Sequence, residues 1–429
     1  MPGEMTERAG LGQVFRLPEF RALWVAELLS VAGDQLARVA LAVLVFGRTG
    51  SAAWAAGVYA LTFLPAILGG VLLTWVADRY RRREVMIAAD VLRAVLVMAM
   101  AVPGLPLWAL SGLLVAVVLL GSPHLAAQGA LLPEVLPGQL YERGLAIRQI
   151  TNQTAQVVGF ATGGLLVAAL SPSTALVIDA ATFVLSAIVL RLGVVARPRP
   201  GTADDDAESG GSEQGLGGVL TGISVIFTDP RRRALVVLAW LIGFYIVPEA
   251  LAAPYTAEIG AGPAAVGLLM AAHPLGSVIG VWLFVRFVPA DVRSRLIGVL
   301  AVGAGVPLLV CQLRPGVTVA FVLWGLSGVL STTYLMQAQA CFVRATPDAV
   351  RGRAIGVAAS GIIAAQGVAV LAGGLLADVT RPSTAIAVSG AAGSVLAIGG
   401  AVAWRLARSD GEHVSESRAN SGSVSRTDG

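Results

Sequence analysis

Apolar runs long enough to cross a lipid bilayer follow one another along almost the whole chain. In hydrocarbon every backbone polar group needs a partner within the protein, so each run of about twenty apolar residues is expected to be a membrane-spanning helix. The runs occupy 22–46, 52–77, 85–105, 107–128, 144–170, 174–194, 234–257, 262–287, 295–313, 316–340, 354–378 and 383–405. They predict an all-α polytopic membrane protein with about twelve transmembrane helices. The residue balance agrees, because 56% hydrophobic against 13% charged is too apolar for one water-facing globule. A soluble enzyme is excluded.

Six runs precede a polar gap at 195–215 and six follow it. The gap carries Pro198, Pro200, Gly201, Asp204, Asp205, Asp206, Glu208, Gly210, Gly211 and Ser212, too polar and too glycine-rich to bury. After it, Leu216, Val219, Leu220, Ile223, Ile226 and Phe227 recur at helical spacing over a stretch too short to span, which predicts an interfacial helix. The expected layout is a six-helix half at 1–194, a cytoplasmic linker at 195–232, a second six-helix half at 233–405 and a disordered tail at 406–429. The halves read as copies. Gly163-Gly164-Leu165-Leu166 followed by Pro172-Ser173-Thr174-Ala175 returns as Gly373-Gly374-Leu375-Leu376 followed by Pro382-Ser383-Thr384-Ala385. In nearly the same register Arg143-Gly144-Leu145-Ala146-Ile147 returns as Arg351-Gly352-Arg353-Ala354-Ile355, Gln156 as Gln366, and Arg21-Ala22-Leu23 as Arg233-Ala234-Leu235. Parallel repeats of this kind place a substrate site near the midplane between pseudo-symmetric halves.

All 30 basic residues are arginine. Without lysine there is no P-loop and no Schiff base, so an ATP-driven motor is not encoded. The arginines cluster between apolar runs, which argues for topology and against nucleic acid. With both termini cytoplasmic, the inner loops hold Arg79, Arg81, Arg82, Arg83, Arg143, Arg231, Arg232, Arg293 and Arg351, and the outer loops only Arg48, Arg314 and Arg381. Trp24, Trp75 and Trp404 then lie at the inner headgroups and Trp54 and Trp108 at the outer ones. The first apolar run is too long for a signal-peptide core and is preceded by Glu4, Glu7 and Glu19, so it is expected to stay as the first span. Cys311 and Cys341 fall near opposite ends of adjacent runs, which makes a disulfide geometrically unfavourable.

The loop after the second run reads Ala77-Asp78-Arg79-Tyr80-Arg81-Arg82-Arg83. It resembles the loop signature of the major facilitator superfamily at its Ala-Asp-Arg core and its terminal basic pair, with Thr74, Val76 and Arg81 at departing positions. Gly159-Phe160-Ala161-Thr162-Gly163-Gly164 resembles the superfamily's fifth-helix antiporter signature, with Phe160 where that signature has proline. The opening Pro18-Glu19-Phe20-Arg21-Ala22-Leu23-Trp24, with Leu132-Pro133-Glu134 and Arg143-Gly144, looks like the drug:proton antiporter branch that includes macrolide and siderophore exporters. The resemblance implies the superfamily's fold of two six-helix halves. It also implies a cytoplasmic gate at Asp78, Arg79 and Arg82, with Asp78 engaging the N-terminal end of the eleventh helix near Arg353.

Glu27, Ser30, Asp34 and Arg38 form one polar stripe along the first span. Charge at the bilayer centre is expensive, so the stripe is expected to face protein or water. Arg38, one turn from Asp34, would hold it ionised until a proton or a cationic substrate competes; the bland alternative is a permanent ion pair. Glu249 follows Pro248 in the seventh span with no arginine one turn away along the sequence, which suits either a proton carrier or a neutral carboxyl bonded to a carbonyl freed by the proline. Asp90 and Arg93 at i and i+3 read as a structural pair, and Asp179 and His273 as satisfied polar groups. Asn152 and Gln156, with Gln149 and Gln153, and Tyr334 and Gln337, with Thr332 and Thr333, give polar faces that line a cavity for an amphipathic substrate or bond between helices. Gly159 and Gly163 suit close helix packing.

These residues point to a secondary transporter exporting a small amphipathic compound in exchange for protons, in a bacterial cytoplasmic membrane. A nutrient uptake carrier or facilitator of the same fold is the alternative. A membrane-embedded enzyme is disfavoured, since no H-E-x-x-H or G-x-S-x-G stretch is present. The expected partners are a small-molecule substrate, protons and the lipid bilayer, with no nucleic acid, no cofactor and no metal, and the chain is expected to act as a monomer.

Overall fold

The computed structural model describes residues 11–198 and 216–424. They are almost wholly helical. The first eight α-helices are α1 (Pro18–Thr49), α2 (Ala52–Ala60), α3 (Leu64–Leu72), α4 (Trp75–Arg79), α5 (Arg82–Met100), α6 (Leu107–Val135), α7 (Gln139–Ala169) and α8 (Pro172–Gly193). They are followed by α9 (Leu216–Thr228), α10 (Pro230–Trp240), α11 (Ile242–Ala250), α12 (Ala252–Glu258), α13 (Pro263–Phe287), α14 (Ala290–Leu309), α15 (Val317–Ala345), α16 (Asp348–Val379) and α17 (Pro382–Val424).

Local chemistry sets the boundaries. Gly50, at φ 64°, closes α1 with its N–H on the Phe46 carbonyl, a left-handed turn that glycine adopts without a Cβ penalty. Ser51, Ser171 and Asp229 cap the helices that follow them, accepting from the backbone N–H groups of Trp54, Thr174 and Arg231. Prolines cause some of the interruptions. Pro65 has no N–H for the Leu61 carbonyl, and a turn separates α2 from α3 there; Pro254 leaves the Ala250 carbonyl without its donor, and the chain breaks at Leu251 between α11 and α12. With a further break at Leu241, where no proline intervenes, the seventh apolar run is three short helices and not one. At the other end no proline follows Pro382, and α17 runs past Arg408, the end of its apolar part, to Val424.

Ten spans among the described residues are long and apolar enough to cross a membrane. Twelve were expected. The two expected runs outside this set correspond to α5 and α7, which have the length, at 19 and 31 residues, but carry the polar groups. Arg82, Arg83, Glu84, Asp90 and Arg93 belong to α5; Glu142, Arg143, Arg148, Asn152, Gln153 and Gln156 belong to α7.

The described residues fall into two compact units, one taking those up to 198 with Ala252–Pro274, the other those from 216 to 251 and from Leu275 onward. In the first, α1 packs on α7 and α8, and α5 on α6 and α8. Lipid is as apolar as the side chains it would replace, so such packing depends on close fit more than on hydrophobic burial. Gly159 and Gly163 supply that fit. A Cβ on Gly159 would lie 2.7 Å from the Ala32 carbonyl oxygen, and one on Gly163 3.1 Å from the Leu36 Cα. Gly159→Leu is therefore expected to force α7 off α1 and to destabilise the purified protein by about 1–3 kcal/mol, the usual range for overpacking. Gly112→Ala, where an added Cβ meets nothing within 4 Å, serves as the silent control in the same thermal-unfolding assay.

In the second unit α9 lies along α16, with Gly222 so close that a Cβ there would be 2.9 Å from the Arg353 carbonyl oxygen. Ile226 is buried in this contact and Leu220, Ile223 and Phe227 are exposed, the amphipathic pattern expected of an interfacial helix. Gly243 of α11 meets the Ala365 carbonyl of α16 in the same close manner.

Candidate functional site: a buried charge network in the first unit

The α1 stripe faces protein, and its members are held by other helices. Glu27 is buried and accepts two hydrogen bonds from Arg148 of α7, from Nε at 2.7 Å and from a terminal nitrogen at 3.0 Å. Gln128 of α6 completes the cluster, accepting from Arg148 at 2.9 Å and donating to Glu27 at 3.4 Å. Two turns along α1, one terminal nitrogen of Arg93 reaches both oxygens of Asp34 at 2.8 and 3.0 Å, while the other donates to Ser30 at 3.3 Å. The Arg93 guanidinium lies 4.1 Å from the Phe183 ring centroid, a cation–π contact sheltered by α8. The Asp34 side chain is 34% exposed, so this pair keeps one open edge.

Two pairings differ from those expected by spacing. Asp34 pairs with Arg93 of α5 and not with Arg38. The Arg38 guanidinium sits 5.8 Å from the centroids of both Tyr59 and Phe63, lining a small cavity with Leu41, Ala42, Ala55, Val58 and Thr62. Asp90, in turn, is not neutralised by Arg93. It is fully buried, accepts a 2.6 Å hydrogen bond from the Ser186 hydroxyl, and has Nδ1 of His124 3.0 Å away, angled so that neither atom completes a hydrogen bond. The physical reason is tertiary packing: α5 packs on α8 and α8 on α1, which brings Arg93 to Asp34 and Ser30 and leaves Asp90 to Ser186.

The other candidates fall as follows. Asn152 and Gln156 are half-buried on α7 and bond to each other, the Gln156 amide donating to Asn152 at 2.8 Å and to Gln153 at 3.2 Å. In the second unit Glu249 is buried on α11, one turn from Tyr245. The Tyr245 ring packs edge-on against Tyr334 of α15, centroids 6.2 Å apart, and its hydroxyl donates to the Ala301 carbonyl at 2.6 Å. Tyr334 is wholly buried with its hydroxyl unpartnered, and Gln337, one turn on, is buried as well. Asp78 and Arg79 are exposed, while Arg82 bonds to Glu134 and to the Ala130 carbonyl at the end of α6.

The profile that describes the Major Facilitator Superfamily matches residues 23–253, more than half of the chain. The chain belongs to the major facilitator superfamily. Among curated proteins it is similar to the "Multidrug efflux pump Tap" of Mycobacterium tuberculosis, with 26% identity over 385 residues that cover 85% of this chain and 88% of that one. The protein of the same name from Mycolicibacterium fortuitum is 25% identical over 370 residues, covering 82% and 88%. Among solved structures, the nucleoside transporter NupG superposes with a TM-score of 0.68 at 15% identity, covering 89% of this chain and 99% of that one. A bacterial homologue of the human lysosomal transporter Spinster, in an inward-facing occupied conformation, gives 0.70 at 15% identity, covering 91% and 96%. These structural likenesses show the fold alone.

Within this major facilitator superfamily protein the loop motif is tied into a wider set of charges. Glu134, which accepts from Arg82, is also 3.2 Å from Arg197, and Arg197 pairs with Glu19 at the start of α1. Arg83 donates to the Arg191 carbonyl at 2.5 Å, and Arg191 pairs with Glu84 at 2.8 Å. Arg148, His124 and Arg197 were not singled out from sequence. For the first two a signal existed, since an ionisable side chain inside an apolar run needs a partner. For Arg197, just past α8 in the polar gap, none did.

Proposed function

We propose that this chain is a secondary active transporter that exports a small amphipathic compound, of drug, antibiotic or siderophore type, in exchange for protons. The name of the two relatives that cover most of the chain supports efflux of drug-like compounds. The observation that carries proton coupling is the Asp34–Arg93 pair: an acid held by an arginine deep within α1, yet open along one edge. Protonation of Asp34 would cancel the ion pair and free Arg93, so each proton taken up changes how α1 is tied to α5. In this mechanism the site opens alternately to either side of a bacterial cytoplasmic membrane, with both termini on the inner side, and a monomer suffices.

The test uses the purified chain in liposomes with a pH gradient and a fluorescent lipophilic cation such as ethidium as probe. The expected result is that the probe accumulates against its own gradient and dissipates the pH gradient as it moves. Movement of the probe with no effect on the pH gradient would make the chain a facilitator and end the proposal.

The charged loop is assigned the role of a cytoplasmic gate. Asp78→Asn is expected to slow turnover severalfold with little change in probe affinity. An affinity collapse at normal turnover would place Asp78 in the binding site instead.

A further inference from the structure

Asp179 of α8 is 1% exposed, and the pairings above give it no role. Its carboxyl abuts the backbone of α1 at the residue before Asp34: a Cβ on Gly33 would lie 2.3 Å from Asp179 Oδ1 and 2.2 Å from Thr182 Oγ1. The glycine is what lets the acid come so close. Thr182 is a poor partner, because its hydroxyl donates to the Asp179 backbone carbonyl at 2.8 Å and reaches the carboxyl only at 3.4 Å. One hydroxyl hydrogen cannot serve both. The neighbour of Gly33 along α1 is Asp34, which Arg93 of α5 holds. Asp90, the nearby acid of α5, is taken up by Ser186 and His124.

Two carboxyls therefore meet at this point of α1, and only Asp34 holds a guanidinium. A buried carboxylate whose one donor is long and shared is far costlier than the neutral acid. Arg93 also has a donor to spare, since its Nε is buried without a hydrogen-bond partner. Phe183, which carries the guanidinium on its ring face, is one turn from Asp179 on the same helix.

We infer that Asp179 is a second proton-binding site, a store that shares one proton with Asp34 while Arg93 pairs with whichever of the two is ionised. This rests on the proton-exchange function proposed above and adds the place where the proton waits. Asp34, with its open edge, is the port that exchanges with water. In loading, a proton from water binds the Asp34 carboxylate and Arg93 turns toward Asp179. The proton then leaves the Asp34 oxygen for Asp179 as Arg93 returns to Asp34, which restores the observed arrangement with the proton out of reach of solvent. Two carboxyls, one proton and one arginine make a cluster of zero net charge, the least costly state for a buried site.

The test combines proton release and infrared spectroscopy on the detergent-purified full chain, with ethidium as the substrate probe. The wild type is expected to release protons on probe addition, Asp179→Asn to release none, and Asp179→Glu to restore release. The infrared arm needs no transport. A buried protonated-carboxyl band of the wild type is expected to vanish in Asp179→Asn and also in Asp34→Asn, where residue 179 is untouched but becomes the one acid of the two left to balance the Arg93 charge. Persistence of that band in Asp34→Asn, or proton release by Asp179→Asn equal to wild type, would overturn the shared store. A wild type that releases no protons but shows the linked infrared changes would overturn the exchange function and leave the shared proton standing.

Discussion

Asp34→Asn is expected to abolish gradient-driven transport, bringing accumulation of the ethidium probe in the liposome assay down to that of empty liposomes, while the protein remains folded. The amide is nearly the shape of the carboxylate and its oxygen can still accept from Arg93 at the 2.8 Å position, so the packing of α1 against α5 and α8 is kept. What is lost is the proton. An amide cannot bind one near neutral pH, and the Arg93 pairing no longer responds to the gradient. Fold survival has a specific cause as well. Arg93 keeps Ser30 and keeps the Phe183 ring, so the cation is not stranded. Asp34→Glu tests the assignment from the other side: a carboxyl one methylene longer should restore part of the accumulation. Unchanged accumulation in Asp34→Asn would remove this residue from the coupling mechanism and leave the Asp34–Arg93 pair as a structural tie.

Periodicity along the chain made the helical plan and the α1 stripe legible, since the spacing of Glu27, Ser30, Asp34 and Arg38 is a property of one helix alone. It could not say which helix would face the stripe. Arg38 was the partner within reach along the sequence, and Arg93 lay more than fifty positions away on a helix whose own acid, Asp90, looked like its natural counterpart. The pairing was decided by packing of α5 on α8 and α8 on α1, which no local pattern encodes. The same gap explains Arg148. From sequence it is a lone cation inside an apolar run with no partner in view, yet it reaches across to Glu27. The two helices that fall short of a membrane-spanning composition, α5 and α7, are the ones that supply Arg93 and Arg148. The weakness of their hydrophobic signal was itself the trace of the site.

The largest effect on stability is expected at Glu27 and Arg148. Both are largely buried, at 8% and 15% side-chain exposure, and joined by two hydrogen bonds of 2.7 and 3.0 Å. Breaking a buried pair by removing one partner typically costs about 3–5 kcal/mol, because the other charge stays behind without compensation. Arg148→Met strands Glu27 with only the long Gln128 contact at 3.4 Å, and should sit at the upper end of that range. Glu27→Gln should cost less, since Arg148 retains the Gln128 oxygen at 2.9 Å and is nearer to water. The double variant Glu27→Gln with Arg148→Met removes both charges and is expected to be more stable than Arg148→Met alone, so the cycle yields a coupling energy of the sign a pair requires. Thermal unfolding of the purified protein reads all four corners. Additive losses would mean that the two side chains act independently, and the tie between α1 and α7 would then rest on the packing at Gly159 and Gly163 and on the 2.6 Å hydrogen bond from Trp24 to Thr151. A recovered double variant that also fails to transport would go further. It would show that the charge itself, and not only the helix contact it secures, is used during the cycle, on the same helix as Asp34 and about two turns from it.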